Sequence, residues 1–230
     1  MQSAPFLFKE MILQYLDSFL KDPFSTLLSL SLVLLSILVA VTIHEFSHAL
    51  ASNKLGDTTA KSLGRLTLNP KSHLDPLGSL LFLFVGFGWG KPVPVDIYKI
   101  KKVPPLIGMS IVSFAGPASN LATAILMGFC LKKLALEFGL SDIWIELGFT
   151  FVQISLVLAV FNLVPLPPLD GYKVILGILP KGLSMQYSGL ERYGPFALII
   201  LFLIDMTVPG VSILSTLIGK PVKILLNWIF

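Results

Sequence analysis

One apolar run limits the folds that are open to this chain. From Phe24 to Ile43 no residue is charged, and leucine, valine and isoleucine predominate. A helix of about 20 such residues crosses the hydrocarbon core of a bilayer. The composition agrees, because 54% of the residues are hydrophobic and only 13% are charged, whereas soluble proteins have about 25% charged residues. Together with a mean hydropathy of +0.84, this run predicts an integral membrane protein.

Charge and cysteine content exclude several other classes of protein. The net charge of +4 comes from basic residues between the apolar runs rather than from one patch, which favours membrane topology over nucleic-acid binding. The single cysteine, Cys130, can form neither an internal disulfide nor a thiolate zinc site. The N-terminus lacks the basic region of a secretory signal, so we expect the first apolar run to remain in the membrane.

The apolar runs predict an all-α polytopic membrane protein, a bundle of about five to six transmembrane helices. The predicted spans cover residues 23 to beyond 48, 105–130, 143–166, 194–206 and 211–229. The last span is weaker, because Gly219 and Pro221 interrupt it. Residues 77–90 are apolar but short and broken by glycine, which favours a re-entrant or β-hairpin region after the first span.

This pattern divides the chain into two segments. Residues 1–22 place apolar side chains at helical spacing, as an N-terminal interfacial helix does. A plain lead-in to the first span explains the same residues equally well. Residues 23–230 form the predicted membrane-embedded core, with no sign of an appended soluble domain.

Loop charge predicts the orientation of the core. Residues 53–76 and 89–105 each contain four basic side chains, whereas residues 131–146 carry a net charge of −1. Because basic loops stay on the cytoplasmic side, we expect 53–105 to face the cytoplasm of a multi-pass protein in a prokaryotic plasma membrane.

A polar cluster, "HEFSH", lies at the end of the first apolar run. His44 and His48 are four residues apart, so a helix puts both imidazoles on one face, where they can bind one ion. Glu45 is adjacent and can take a proton from a metal-bound water. Ionisable groups beside a membrane span are costly and functional by default, so this cluster predicts a zinc site.

A catalytic zinc needs a third protein ligand. The candidates are His73, Asp75, Asp170 and, less plausibly, Asp205. Spacing does not exclude His73 or Asp75. Asp170 is favoured, because three prolines break the helix before it and the predicted topology returns it to the depth of the two histidines.

Two motifs together give a specific resemblance. "HEFSH" (44–48) followed by "NLVPLPPLDG" (162–171) resembles the site-2 protease family of intramembrane zinc metalloproteases. Weaker similarities in the same order are "GRLTLNPKSHLDPLG" (64–78), "GKPVPV" (90–95) and "GPASN" (116–120). The resemblance covers about residues 37–180. It implies a minimal form of the family, without PDZ or CBS domains.

The resemblance also implies roles for individual residues. It makes His44, His48 and Asp170 the zinc ligands, Glu45 the general base, and Asn162 a residue that helps to hold the substrate carbonyl. It implies a protease that hydrolyses a peptide bond in or near the transmembrane segment of a membrane protein, towards the cytoplasmic side. The lipid bilayer is its other partner, and nucleic acid is not expected.

Other interpretations remain open at this point. The same polar residues suit an ion or proton transporter, or a non-catalytic relative that binds membrane proteins. Small residues in 113–119 favour close helix packing, and Asn120 is a weaker candidate for a hydrogen bond within the site. Residues 91–95, "KPVPV", suit either an edge strand that pairs with an unwound substrate or a protected edge.

Overall fold

The computed structural model describes residues 17, 19–75, 90–208 and 212–230. These residues contain eight α-helices, short 3₁₀ turns and one π-helical turn, and no β-strand. We number the helices α1 (Pro23–Leu55), α2 (Thr59–Ser62), α3 (Pro105–Phe138), α4 (Asp142–Asn162), α5 (Asp170–Ile178), α6 (Lys181–Ser188), α7 (Gly194–Thr207) and α8 (Lys220–Ile229). The all-α prediction is therefore confirmed for the described residues.

The first helix begins and ends at residues that favour helix termini. Asp22 caps α1 by accepting a 3.0 Å hydrogen bond from the amide of Ser25, and Pro23 follows at the first helical position. At the other end Gly56 has a φ of 109°, a left-handed conformation that glycine adopts without a steric penalty. The long apolar helix between these residues carries His44, Glu45 and His48 near its C-terminal end.

Three helical segments of the described part are long and apolar enough to cross a membrane: Pro23–Leu55, Asp142–Asn162 and Lys181–Asp205, the last counted through the turn between α6 and α7. They confirm a membrane protein, while the count of five to six spans stays a prediction. The predicted hairpin region, residues 77–90, lies outside the described residues except for Gly90, as does nearly all of the predicted interfacial helix in 1–22.

Two predicted helix ends differ from the structure. The span predicted to end at 130 continues in α3 to Phe138, because a helix can extend past the apolar region with charged side chains in water. The span predicted to end at 166 stops in α4 at Asn162. Pro165 explains the earlier end, since proline disfavours helical conformation in the residue before it.

The long helix α3 is the centre of the packing. It contacts α1, α4 and α5, and α1 also packs against α4. A buried cluster joins Ala124 of α3 to Val152 and Leu156 of α4, and Val222 and Ile229 of α8 complete it. In contrast, α1 exposes large apolar side chains such as Leu27, as a helix in contact with lipid does.

A buried carboxylate organises the loops beyond the C-terminal end of α1. Asp57 accepts hydrogen bonds from Ser52 Oγ at 2.8 Å, from the amide of Thr59 at 2.9 Å and from the amide of Asp96 at 2.8 Å. The amide of Lys101 also donates to the carbonyl oxygen of Leu55 at 3.0 Å. These bonds hold the segment that begins at Gly90 against the end of α1 that carries the histidines.

Candidate metal centre

The two histidines of α1 lie together inside the helix bundle. His44 is 5% exposed and His48 is 7% exposed. Their ring centroids are 4.6 Å apart, and the rings meet edge to face. The i, i+4 spacing on a helix produces this arrangement, as the sequence predicts.

Asp170 approaches both imidazoles from α5. Its Oδ2 atom lies 3.1 Å from Nε2 of His44 and 3.2 Å from Nε2 of His48. Asp170 is the first residue of α5 and follows the proline-containing loop 163–169. The loop thus reverses the chain after α4 and brings a carboxylate to the depth of two histidines more than a hundred residues earlier in the sequence.

The three side chains fit a zinc ion. One ligand atom from each of His44, His48 and Asp170 lies within 4.8 Å of the other two. Two imidazole nitrogens and one carboxylate oxygen form one of the ligand sets of catalytic zinc, which leaves a fourth position open. Both Nε2 atoms converge on a single oxygen, as they would on an ion that replaced the direct contacts.

A backbone carbonyl fixes the orientation of one candidate ligand. Nδ1 of His48 lies 2.7 Å from the carbonyl oxygen of Val112 in α3. A carbonyl oxygen only accepts hydrogen bonds, so Nδ1 carries the proton and Nε2 keeps its lone pair for a metal. Nδ1 of His44 is also buried but has no hydrogen-bond partner among the described residues, so within that part of the chain the two histidines are held differently.

Glu45 lies next to the three candidate ligands but is not one of them. It is half-buried, and it does not belong to the group of possible metal ligands. A methyl group added at Gly90 would lie 3.8 Å from Glu45 Oε1. The first residue of "GKPVPV" is therefore close to this carboxylate.

The side chain of Asn162 is placed differently from those of the candidate ligands. It is the last residue of α4, and its Nδ2 atom donates a 2.9 Å hydrogen bond to the carbonyl oxygen of Leu158 in the same helix. The side chain thus binds its own helix in this structure. Its predicted role towards a substrate carbonyl stays a prediction.

The remaining candidates for the third ligand lie elsewhere. His73 is fully buried in the loop after α2, with Nε2 2.8 Å from the carbonyl oxygen of Thr67, and its own carbonyl accepts from the amide of Lys91. Asp205 accepts a hydrogen bond from the amide of Leu214. Neither residue, nor Asp75, belongs to the ligand group found among the described residues.

The sequence revealed only part of the contribution of α3 to the site, with Asn120 as a weaker candidate for a hydrogen bond there. Asn120 is fully buried and donates from Nδ2 to the carbonyl oxygen of Ala40 at 3.3 Å. Gly116 faces the Nε2 atoms of both histidines. The sequence favoured Gly116 only as a packing residue. The signal that would have revealed more is the four-residue spacing of Val112, Gly116 and Asn120.

Comparisons with known proteins agree with the site. YwhC of Bacillus subtilis strain 168, provisionally named a zinc metalloprotease, is 42% identical over 193 residues, which are 81% of this chain and 85% of YwhC. Rip2 of Mycobacterium tuberculosis H37Rv has the same provisional name and is 31% identical over 171 residues, 72% of this chain and 64% of Rip2. A shorter match of 99 residues at 37% identity joins the chain to MJ0611 of Methanocaldococcus jannaschii, again provisionally a zinc metalloprotease.

Two further comparisons gave no match. No family model matches the chain, and no solved structure matches it.

Proposed function

Because the chain belongs to the site-2 protease family of zinc metalloproteases, we propose that it hydrolyses a peptide bond within or near the transmembrane segment of a membrane-protein substrate. The proposal depends on one observation, the convergence of His44, His48 and Asp170 at the end of a helix long and apolar enough to cross a membrane. A hydrolytic centre so placed is accessible to a substrate that is itself held in the bilayer.

The proposal includes a multi-pass topology of about five to six spans, with the site towards the cytoplasm of a prokaryotic cell. Supporting it, the loops that follow α1 are rich in lysine, whereas residues 131–146, which include the end of α3 and the start of α4, carry a net charge of −1. Asp57 and Leu55 tie those basic loops to the end of α1 near the histidines, so the site and the basic loops share one side.

The chemistry divides between the ion and the protein. Zinc held by His44, His48 and Asp170 would lower the pKa of a bound water to about 7 and polarise the scissile carbonyl. Glu45 accepts the proton of the attacking water as the new C–O bond forms. The same carboxyl then gives that proton to the amide nitrogen as the C–N bond breaks, which releases a carboxylate and an amine.

Asn162 has the oxyanion role in this proposal. Its Nδ2 atom bonds to the carbonyl oxygen of Leu158, a partner that a helix end can give up to water or substrate. Turned towards the site, the amide would donate to the substrate carbonyl oxygen, where negative charge develops.

Substrate binding requires extended backbone, because a peptide bond inside a helix is shielded. The segment from Gly90 to Val95 has no regular secondary structure and begins beside Glu45. We propose that an unwound part of the substrate pairs with this segment. Pro92 and Pro94 lack amide hydrogens, so only part of the segment can donate hydrogen bonds.

The transporter alternative has less support. A pathway for ions needs several polar positions along the membrane, whereas the histidines and Asp170 converge on one point. The curated relatives carry protease names rather than transporter names.

One experiment tests the function. The protein is reconstituted in liposomes with a single-span reporter protein, and cleavage products and zinc content are measured by mass spectrometry. We expect Glu45→Gln to keep its zinc and to lose cleavage by about 10²–10⁴-fold. Glu137→Gln, at an exposed carboxylate far along α3, is the matched control and should behave as the unaltered protein. Cleavage that survives Glu45→Gln, or zinc flux into sealed liposomes without cleavage, would contradict the proposal.

A further inference from the structure

Helices α1 and α3 meet in a matched register around the histidines. Ala40, His44 and His48 are spaced by four residues on α1, as Val112, Gly116 and Asn120 are on α3. Asn120 contacts Ala40, and Val112 contacts His48. The pairing therefore runs antiparallel, and Gly116 falls at the middle position, opposite the two imidazoles.

We propose that Gly116 is a positioning residue of the zinc centre, which acts through its lack of a side chain. Its bare backbone lets α3 approach the imidazoles closely enough for the Val112 bond. It also leaves free the volume next to both Nε2 atoms that a metal ion would need. The proposal extends the function proposed above, because it assigns part of the metal site to a residue that supplies no ligand atom.

The geometry at Gly116 supports this role directly. A Cβ atom built on Gly116 would lie 2.7 Å from Nε2 of His44, and nearer still to Nε2 of His48. Zinc binds imidazole nitrogens at about 2.0–2.1 Å. A carbon atom so close to both nitrogens lies within the coordination shell that an ion would need, so the ion and the methyl group compete for one place.

The surrounding groups cannot easily move aside. The His48 ring is held by Val112 on one side and Asp170 on the other. The His44 ring is 5% exposed and contacts both Asp170 and His48. Neither imidazole is the far end of a flexible side chain, which could swing away from a methyl group at little cost.

Other glycines of the bundle show a different kind of contact. A Cβ atom on Gly128 of the same helix would meet Ile229, and one on Gly148 of α4 would meet Leu131. Those glycines allow apolar packing between helices. At Gly116 the nearest atoms instead belong to the imidazole rings of His44 and His48, the two proposed zinc ligands. Gly116 is also followed by Pro117 in the helix interior, where both residues are unfavourable for a helix, so local helix stability does not explain a glycine there.

Zinc binding gives the first test. Purified Gly116→Ala is compared with the unaltered protein by zinc content and by competition with a chromogenic chelator. We expect at least a tenfold loss of zinc affinity. Gly128→Ala, the matched control on the same helix, should bind zinc as the unaltered protein does. Unchanged zinc affinity in Gly116→Ala would overturn the proposal, whereas absence of zinc from the unaltered protein would instead overturn the zinc site itself.

Stability gives the second test, which needs no metal. The unfolding temperature of zinc-stripped protein is measured with and without Gly116→Ala, in the unaltered background and in a His44→Ala/His48→Ala background. We expect the alanine to lower the unfolding temperature only where the imidazoles are present. An equal decrease in both backgrounds, or failure of Gly116→Ala to fold in both, would show an ordinary packing role and overturn the proposal.

Discussion

Nδ1 of His48 lies 2.7 Å from the carbonyl oxygen of Val112, so a main-chain atom of α3 orients a side chain of α1. This bond sets the tautomer of the imidazole and aims its Nε2 atom at Asp170, 3.2 Å away. The acceptor belongs to the backbone and is therefore insensitive to the identity of residue 112. The position of α3 relative to α1 thus decides the geometry of the site.

Zinc binding should distinguish Asp170, the proposed third ligand, from His73. We expect Asp170→Ala to lose zinc affinity by more than about 100-fold, since even outer partners of metal ligands contribute 10–100-fold. His73→Ala should keep its zinc. It should lower the free energy of unfolding by about 1–3 kcal/mol, because the Thr67 carbonyl loses its buried partner. Zinc analysis and thermal unfolding of the two proteins check this, and zinc loss in His73→Ala alone would make His73 the third ligand.

The position of Asp170 relative to the histidines should also depend on how α5 packs against α3. The single hydroxyl hydrogen of Ser110 is shared between two acceptors, the carbonyl oxygens of Lys173 at 3.1 Å and Val174 at 2.9 Å from Oγ. A Cβ atom on Gly177 would collide with Ser110 and with the backbone of Leu106, so the two helices are too close for any side chain there.

We therefore expect Gly177→Ala to push α5 away and move Asp170 from the histidines. Overpacking of this kind costs about 1–3 kcal/mol in the free energy of unfolding, and zinc affinity should fall with it. Gly182→Ala is the matched control, because its Cβ atom would meet nothing within 4 Å. If both alanine proteins bind zinc equally well, the attachment of α5 to α3 does not position Asp170.

A tyrosine of α6 holds the proline-containing loop before Asp170 in place. Tyr187 of α6 donates a 2.5 Å hydrogen bond to the carbonyl oxygen of Pro165, and its ring lies 5.0 Å from that of Tyr172. We expect Tyr187→Phe to keep the ring contact and to lower the free energy of unfolding by about 1 kcal/mol. Tyr193→Phe, at an exposed tyrosine, should change nothing measurable. Equal unfolding temperatures for the two proteins would remove Tyr187 from the support of the loop.

Helical periodicity and topology together gave much of this site in advance. The spacing of His44 and His48 needs only a helix to bring the rings together. The position of Asp170 was harder to predict, because its separation from His48 along the sequence does not show whether the two side chains are close in the fold. The proline-broken span placed it on the correct side, since a chain that crosses and then breaks must deliver its next polar residue at that surface.

The sequence could not predict which atoms on the surface of α3 contact the histidines. The acceptor of the His48 bond is the backbone carbonyl oxygen of Val112, which the residue type does not reveal. The role of Gly116 depends on which atoms of α1 lie opposite it. Both follow from the register of α1 against α3, which is a tertiary property. The end of α3 at Phe138 was missed for a related reason, since apolarity reports contact with lipid and not the helix terminus.

Low pH should destabilise the loops beside the site, because it protonates the carboxylate of Asp57. Burial raises the pKa of this carboxyl, but its hydrogen bonds from Thr59, Asp96 and Ser52 outweigh that effect and hold the pKa below its ordinary value. A pKa that is lower in the folded than in the unfolded protein gives stability that is fully present above the unfolded pKa of about 3.9. This stability is lost progressively as the pH falls below that value and through the lower pKa of the folded protein. We expect the unfolding temperature of the unaltered protein to exceed that of Asp57→Asn at pH 7, with the difference shrinking below about pH 4.

Glu137→Gln, at an exposed carboxylate, should show no such pH-dependent difference. A difference between Asp57→Asn and the unaltered protein that stays constant from pH 7 to pH 3 would mean that the Asp57 charge does not stabilise the fold.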